Sequence, residues 1–422
     1  MIGAALLFAV GCGTPVPSPS PSPSPLPEAS VSAAPTTSAS PSPASSAAVA
    51  AIYDAIETQV VEIRGLQPKR EVARQFIDET ELRTMITEQF DKDAPPEYVA
   101  GTERLYKAME LIPADANLRD LTLDLLSGGV AGFYQDDQNT LYVVSKSGLP
   151  GASERITFAH EYDHALQAQN TSVFTDQKGV LDQSDRILAR QAIYEGDATL
   201  LMTLWGAAHF NLSDIAEMLS LSSDPETLAL LDRTPAILRE PLVFPYSTGL
   251  SYVQSAQSAG GWEAVNAFYD RMPESTEQVL HPEAYQARKH PVAVHLQDDL
   301  AGQLGPGWSV PLQDTFGELQ LGIWLRAAGV PDATATAAAA GWGGDRLAVV
   351  EGPGGTWGVV MKSTWDRAVD ATEFADAAQS TVDGLTHPAR ISAPGGKTVT
   401  VLIASDAPTL LALDVIFGAT GV

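Results

Sequence analysis

The chain has 422 residues, with 52 Asp and Glu against 25 Lys and Arg, a formal net charge of −27 and one cysteine, Cys12. That acidity argues against nucleic acid as a partner, because phosphate binding needs a basic surface, and it suits a self-repelling extracellular body. A single cysteine rules out a disulfide framework or a thiolate zinc site within one chain.

Residues 1–11 form an apolar run too short to span a bilayer as a helix, and Ala9-Val10-Gly11-Cys12 resembles a lipobox, the signal after which bacteria lipidate the cysteine. The usual basic n-region is missing, which points to a start further upstream, and Ala9 stands where Leu is more usual. One acyl chain holds a protein only marginally, whereas the lipoprotein modification of Cys12 supplies several. The expected location is the extracytoplasmic side of a bacterial cell envelope, anchored to the membrane by lipid. Residues 1–12 then act as signal segment. Residues 13–47 are rich in Pro, Ser and Ala without apolar periodicity, and read as a semi-extended tether that builds no core.

Residues 48–300 read as one large domain, opening with helices over Ile52 to Ile63, Lys69 to Phe90, Pro96 to Leu111 and Asn117 to Leu126. From Gly129 to Ser145 two short alternating stretches flank the polar turn Asp136-Asp137-Gln138-Asn139, the pattern of a β-hairpin. Glu154 to Gln169 contains neither Gly nor Pro, and Ile156, Ala159, Tyr162, Ala165 and Leu166 recur at helical spacing. This helix carries His160-Glu161-Tyr162-Asp163-His164. Residues four apart on a helix lie about 40° apart around its axis, so both imidazoles can reach one metal ion, with the Glu161 carboxylate beside them as proton acceptor. An ordinary buried helix with two histidines is the plain alternative, but each buried polar group would then need a partner.

A second helix, Ser184 to Trp205, offers a third ligand in Glu195, a carboxylate in an otherwise apolar stretch that needs a cation if buried. Gly196 beside it lowers helix stability by about 1 kcal/mol relative to Ala and points to close approach of another backbone. Asp197, two positions on, faces away from the same ion; it either orients a neighbouring polar group, as acids around zinc ligands do, or is solvated.

These residues resemble the gluzincin metallopeptidases, and most strongly the peptidase MA-like bacterial proteins, over roughly residues 132–290. The resemblance implies a zincin-like domain holding one Zn2+ per chain on His160, His164 and Glu195, with Glu161 as general base. Glu195-Gly196-Asp197-Ala198 matches the E-x-x-A form of the third-ligand motif. It also implies that the strand before the motif helix, Leu141 to Val144, forms an edge of the cleft on which an extended peptide can pair.

Further along, a helix from Ser247 to Ser258, a break at Gly260-Gly261 and a helix from Trp262 to Tyr269 are predicted. Tyr246, Tyr252 and His281 are candidates for a donor to the developing oxyanion. Tyr246 at a helix entrance and His281 before Pro282 stand ahead of Tyr252, whose mid-helix position suits a core residue. Residues 301–422 read as a smaller C-terminal α+β region. It contains a helix from Thr315 to Ala328, an alanine run at Ala333 to Ala340, a hairpin of Arg346 to Glu351 with Thr356 to Ser363, a helix from Ala371 to Val382, a strand from Thr398 to Ala404 and a last helix from Pro408 to Phe417. Gly341 to Gly344 precede a strand instead of opening a helix, which is not a dinucleotide fingerprint.

The expected whole is an α+β, mostly helical, lipid-anchored zinc metallopeptidase acting on a peptide or protein substrate. The competing expectation is a non-catalytic envelope lipoprotein that binds peptides or protein partners on a decayed peptidase fold. Retention of His160, Glu161, His164 and Glu195 together favours the enzyme.

Overall fold

Tyr53, Ile56 and Val60 line one side of a first helix, α1 (Ser46–Arg64), and are buried in the core that also receives the motif helix. The computed structural model describes residues 3–6, 46–144, 149–177 and 179–418; Cys12 and the tether up to residue 45 lie outside them. Strand β1 (Gly3–Leu6) precedes α1, and β2 (Ala73–Ile77) follows it. The predicted helix from Lys69 to Phe90 is therefore divided. Asp78 accepts the N–H groups of Thr80 and Glu81 while the Glu81 carboxylate takes the N–H of Asp78. This capping box starts α2 (Glu79–Asp93) only after the strand has ended.

Then come α3 (Pro96–Ala108), α4 (Leu118–Gly129), the hairpin β3 (Val130–Gln135) and β4 (Thr140–Val144), α5 (Ala152–Asn170) and α6 (Ser184–His209). Three shorter helices, α7 (Leu212–Ser222), α8 (Pro225–Arg233) and α9 (Ala236–Phe244), lead into a π-helical turn at Pro245–Gly249 and α10 (Leu250–Asp270). The first sheet has the order β1-β3-β4-β2, with β4 antiparallel to β3 and parallel to β2 from Ala73↔Thr140 to Ile77↔Val144. Leu141 to Val144 is thus an interior strand. The expected edge at β4 is corrected: β2 takes one side of the hairpin and β1 pairs antiparallel along the outer side of β3.

The chain continues through α11 (Thr276–Leu280), α12 (Pro282–Gln286), α13 (Leu300–Leu304), β5 (Ser309–Asp314), α14 (Gly317–Ala327) and α15 (Asp332–Ala339). It ends with β6 (Trp342–Glu351), β7 (Trp357–Trp365), α16 (Ala368–Gly384), β8 (Ala389–Ser392), β9 (Thr398–Ala404) and α17 (Ala407–Gly418). The second sheet, β5-β6-β7-β9-β8, is antiparallel throughout. Leu347 and Val349 pack with Trp324 and Phe374 on one face, Ala348 and Val350 with Leu300 and Leu413 on the other. Both faces being covered explains why β6 reads as a continuous apolar run and not as an alternating one. Leu105, Ala108 and Met109 at the end of α3 join this second core, so the early helices support the C-terminal sheet as well. The molecule is mostly helical, of the α+β class.

One close crossing fixes the geometry of the site. A methyl group on Gly196 of α6 would lie 2.6 Å from the Gly249 carbonyl, and one on Gly249 would overlap the Ala192 carbonyl oxygen. The glycine beside Glu195 thus lets the π-turn lie directly against α6, the close backbone approach expected at that position. The predicted break in α10 is also present, at Gly260 and Gly261, where Gly261 has φ +66°.

Candidate metal centre

The middle of α5 is buried all round: Phe158, Ala159, Ala165 and Leu166 are inaccessible, and so are the polar Glu161, Asp163 and Gln167. α6 is equally buried from Ile193 to Leu201. Polar side chains on two such helices must satisfy one another or hold a ligand.

His160 Nε2 lies 3.1 Å from His164 Nε2 and 3.2 Å from Glu195 Oε2, and His164 Nε2 lies 3.3 Å from the same oxygen. Two imidazoles and one carboxylate at these separations match a shared ion, since ligands about 2.0–2.2 Å from a tetrahedral zinc stand roughly 3.3 Å apart. Among the described residues this is the one group of His, Cys, Asp and Glu arranged to hold a metal ion. The donor chemistry agrees. His164 Nδ1 is 2.9 Å from Gln167 Oε1, an atom that only accepts, so Nδ1 carries a proton and Nε2 is the ring atom left for a metal ion to take in place of a proton. Gln167 is itself held by Asp163 and by the Tyr194 carbonyl, each 3.0 Å from its amide nitrogen. Glu195 Oε1 is buried without a hydrogen-bond partner, a costly state for a carboxylate with no cation beside it.

The electrostatics follow the same geometry. Burial would raise Glu195, but the His164 charge and hydrogen bonds from both rings overcome it and hold the carboxyl at about 2. Burial opposes charge on His164, yet Glu195 lifts it to about 10. His160 is lowered, by burial first and by His164 in addition. One histidine and the glutamate thus share a charge that a bound cation would take over.

Glu161 is fully buried beside His160, and its Oε2 accepts the Tyr134 N–H of β3 at 2.8 Å. Tyr246, carried by the π-turn, lies nearly parallel to His160 with ring centres 6.3 Å apart. Burial, together with the Glu195 and Glu161 charges, keeps its phenol protonated well above its usual range. The structure therefore brings together His160, Glu161, His164, Glu195 and Tyr246.

Other candidates are placed elsewhere. His281 is partly exposed and turns its Nε2 onto Glu318 of α14 at 2.7 Å, so its proposed role as oxyanion donor is withdrawn: its partner is a carboxylate outside the metal group. Tyr252 packs on Phe268 and Tyr285 in the core, as its mid-helix position suggests. Asp197 orients neither histidine. Its carboxylate takes Arg64 Nε at 2.9 Å and Nη2 at 2.8 Å, and the Tyr269 hydroxyl at 2.6 Å. Arg64 also donates to Asn266 at 2.7 Å, lies 4.6 Å from the Trp262 ring centre and 3.7 Å from Asp163. Asp163 is pushed up to about 7 by burial and by Asp197, against the pull of Arg64. This buried cluster ties α1, α5, α6 and α10 together behind the metal group.

Arg64, Gln167 and Tyr269 were missed in the sequence. Only Gln167 left a local signal, standing one helical turn after His164; the others arrive from distant segments. A cavity of about 360 Å³ opens beside β3, Phe174 and Tyr194, and a larger one of about 820 Å³ is bordered by residues 291–301; His160, His164 and Glu195 line neither.

Residues 308–413 match a sequence family described as a Domain of unknown function (DUF8575), a stretch from β5 into α17 that holds none of the metal ligands. No curated protein matches the chain. Among solved structures it is similar to one from Chloroflexus aurantiacus described as "a putative hydrolase with a novel fold", with 15% identity and a TM-score of 0.37 over 57% of this chain and 88% of that one.

Proposed function

We propose that the chain is a zinc-dependent metallopeptidase of the gluzincin type. The observation that carries this reading is the convergence of His160 Nε2, His164 Nε2 and Glu195 Oε2 to within 3.3 Å, with the Glu161 carboxylate one residue from the first ligand. A bound zinc would polarise the scissile carbonyl and make a water acidic enough to attack near neutral pH. Glu161 accepts the proton from that water. The Tyr134 N–H holds one of its oxygens and so fixes the plane of the carboxylate. Tyr246, kept protonated by its surroundings, supplies a hydroxyl where negative charge develops on the substrate.

Purified full-length protein should contain close to one zinc per chain by mass spectrometry and hydrolyse peptides from a mixed library. Glu195→Ala should lose most of the metal and the activity together. Protein produced with zinc in excess that still lacks stoichiometric metal, or hydrolysis that survives chelation, would overturn the reading. Tyr246→Phe should keep its zinc while kcat and kcat/KM fall by similar factors, about ten- to a thousandfold, as for an interaction made only in the transition state. A change confined to KM would instead place Tyr246 in substrate binding.

Anchoring through Cys12 belongs to the same proposal. Among the described residues no helix is long and apolar enough to cross a membrane. The chain expressed from its native start should partition with membranes into detergent, and Cys12→Ser should release it. An unchanged partition would remove the anchor.

A further inference from the structure

Helix α7 turns its apolar side away from the protein. Leu212, Ile215 and Leu219 stand within about 60° of one another around its axis, and they are 84%, 45% and 64% exposed. The acids of the same helix take the inward side. Asp214 is buried and accepts Arg155 Nη2 and the Asn211 N–H, while Glu217 accepts the Ser153 N–H at the start of α5. A surface helix ordinarily has the reverse arrangement, apolar toward the core and charged toward water. A single exposed leucine needs no explanation, but a stripe of three marks a surface that something covers.

The place of this stripe in the fold points to what that is. α1 runs antiparallel to α6: Arg64 at its end meets Asp197, and Gln59, earlier in the helix, takes the Trp205 Nε1–H at 2.9 Å. The start of α1 therefore lies toward the end of α6, where α7 begins, and Val49, Ile52, Phe210 and Met218 border the same core. Residues 13–45 lead into α1 at Ser46, on that side of the molecule. Extended at about 3.1 Å per residue, they reach roughly 100 Å from Cys12. Within that reach a second contact with the anchoring surface is intramolecular, at an effective concentration near millimolar, so a few apolar side chains suffice.

Charge narrows the choice further. Residues 212–232 contain no Lys, Arg or His, and the whole chain carries −27, so nothing on this hairpin attracts anionic headgroups. Two copies meeting on this face would bring two such charges together.

We infer that α7 lies in the interface of a lipid bilayer, with Leu212, Ile215 and Leu219 inserted among the acyl chains as an apolar contact beside the lipid on Cys12. The nearness to Cys12 rests on the anchoring reading; the insertion itself does not. Helices that lie in this interface bury their apolar face by about 5–10 Å and bind in proportion to the apolar area buried.

The test is sedimentation of the full-length chain carrying Cys12→Ser, which has no acyl chain at that position, with vesicles of neutral phosphatidylcholine. The chain should partition onto them, and high salt should not release it, because no ion pair contributes. Leu212→Glu with Leu219→Glu in that background should lower the partition at least about tenfold. Glutamate is a strong helix former and both side chains already meet water, so α7 is retained. Leu411→Glu with Val415→Glu on α17, a pair just as exposed, adds the same charge and should leave the partition within about twofold. Residues 1–11 are common to all these chains, so the difference between them reads α7 alone.

No partition of the Cys12→Ser chain, or equal loss from the two pairs, overturns the inference. So does a mass in light scattering that falls from dimer to monomer with the α7 substitutions while vesicle binding is unchanged, which assigns the stripe to a second copy. Detergent partition of the chain with Cys12 intact decides the anchor separately. Vesicle binding through α7 without lipidation supports the stripe and counts against the anchor; lipidation without vesicle binding by the Cys12→Ser chain does the reverse.

Discussion

Glu161→Gln should keep its zinc and its fold while turnover falls by about two to four orders of magnitude, the range associated with loss of a general base. The substitution is nearly isosteric, and its remaining carbonyl oxygen can still accept the Tyr134 N–H that now holds Oε2. The amide nitrogen then faces the reacting side and cannot take a proton. Both imidazoles and Glu195 are untouched, so metal content separates this effect from loss of the site. Steady-state kinetics beside metal analysis is the measurement, and turnover within a few-fold of the unsubstituted chain would sink Glu161 as the base.

Asp197→Ala should be among the most destabilising single changes in the molecule. Arg64 is 1% exposed and gives two hydrogen bonds to this carboxylate, and removing one partner of a buried ion pair costs about 3–5 kcal/mol because the other charge is left behind. Chemical denaturation should show a loss of that size, with zinc still bound at temperatures where the variant is folded. Glu195→Ala should do the opposite, losing metal first. Replacing both charges with apolar side chains, Arg64→Met with Asp197→Leu, should cost less than Asp197→Ala, since Arg64 is no longer left behind and Asp163, already pushed up to about 7, can take a proton. A midpoint for Asp197→Ala close to that of the parent would show that Arg64 finds compensation elsewhere.

What was legible in the sequence is what local spacing encodes. His160, Glu161 and His164 share a helix face by periodicity alone, Gly196 announces a close crossing because nothing larger fits against Gly249, and Gly260-Gly261 interrupt a helix through their backbone freedom. The illegible parts depend on partners far along the chain. Ala73–Ile77 is composed of residues that suit a helix, and becomes a strand because β4, 67 residues later, offers it a ladder. That pairing also buries the strand expected at the edge. Asp197 looked like a helper of the histidines because its partner, Arg64, sits 133 residues away with no motif to mark it. The short strands β5 and β8 escaped for a related reason: Pro311 interrupts the first, and the second has only four residues, so neither carries a clear alternation.

The Arg64 cluster also sets an order of events during biogenesis. Arg64 leaves the ribosome or the translocation channel early, but its acceptors follow 133 residues later at Asp197 and 202 residues later at Asn266. Closing loops of that length precedes any reward from the contacts they permit. A nascent chain therefore has both histidines in hand well before the clamp behind them can form. The clamp that joins the helices carrying His160, His164 and Glu195 is complete only once α10 has emerged, when most of the polypeptide has left the machinery that made or moved it.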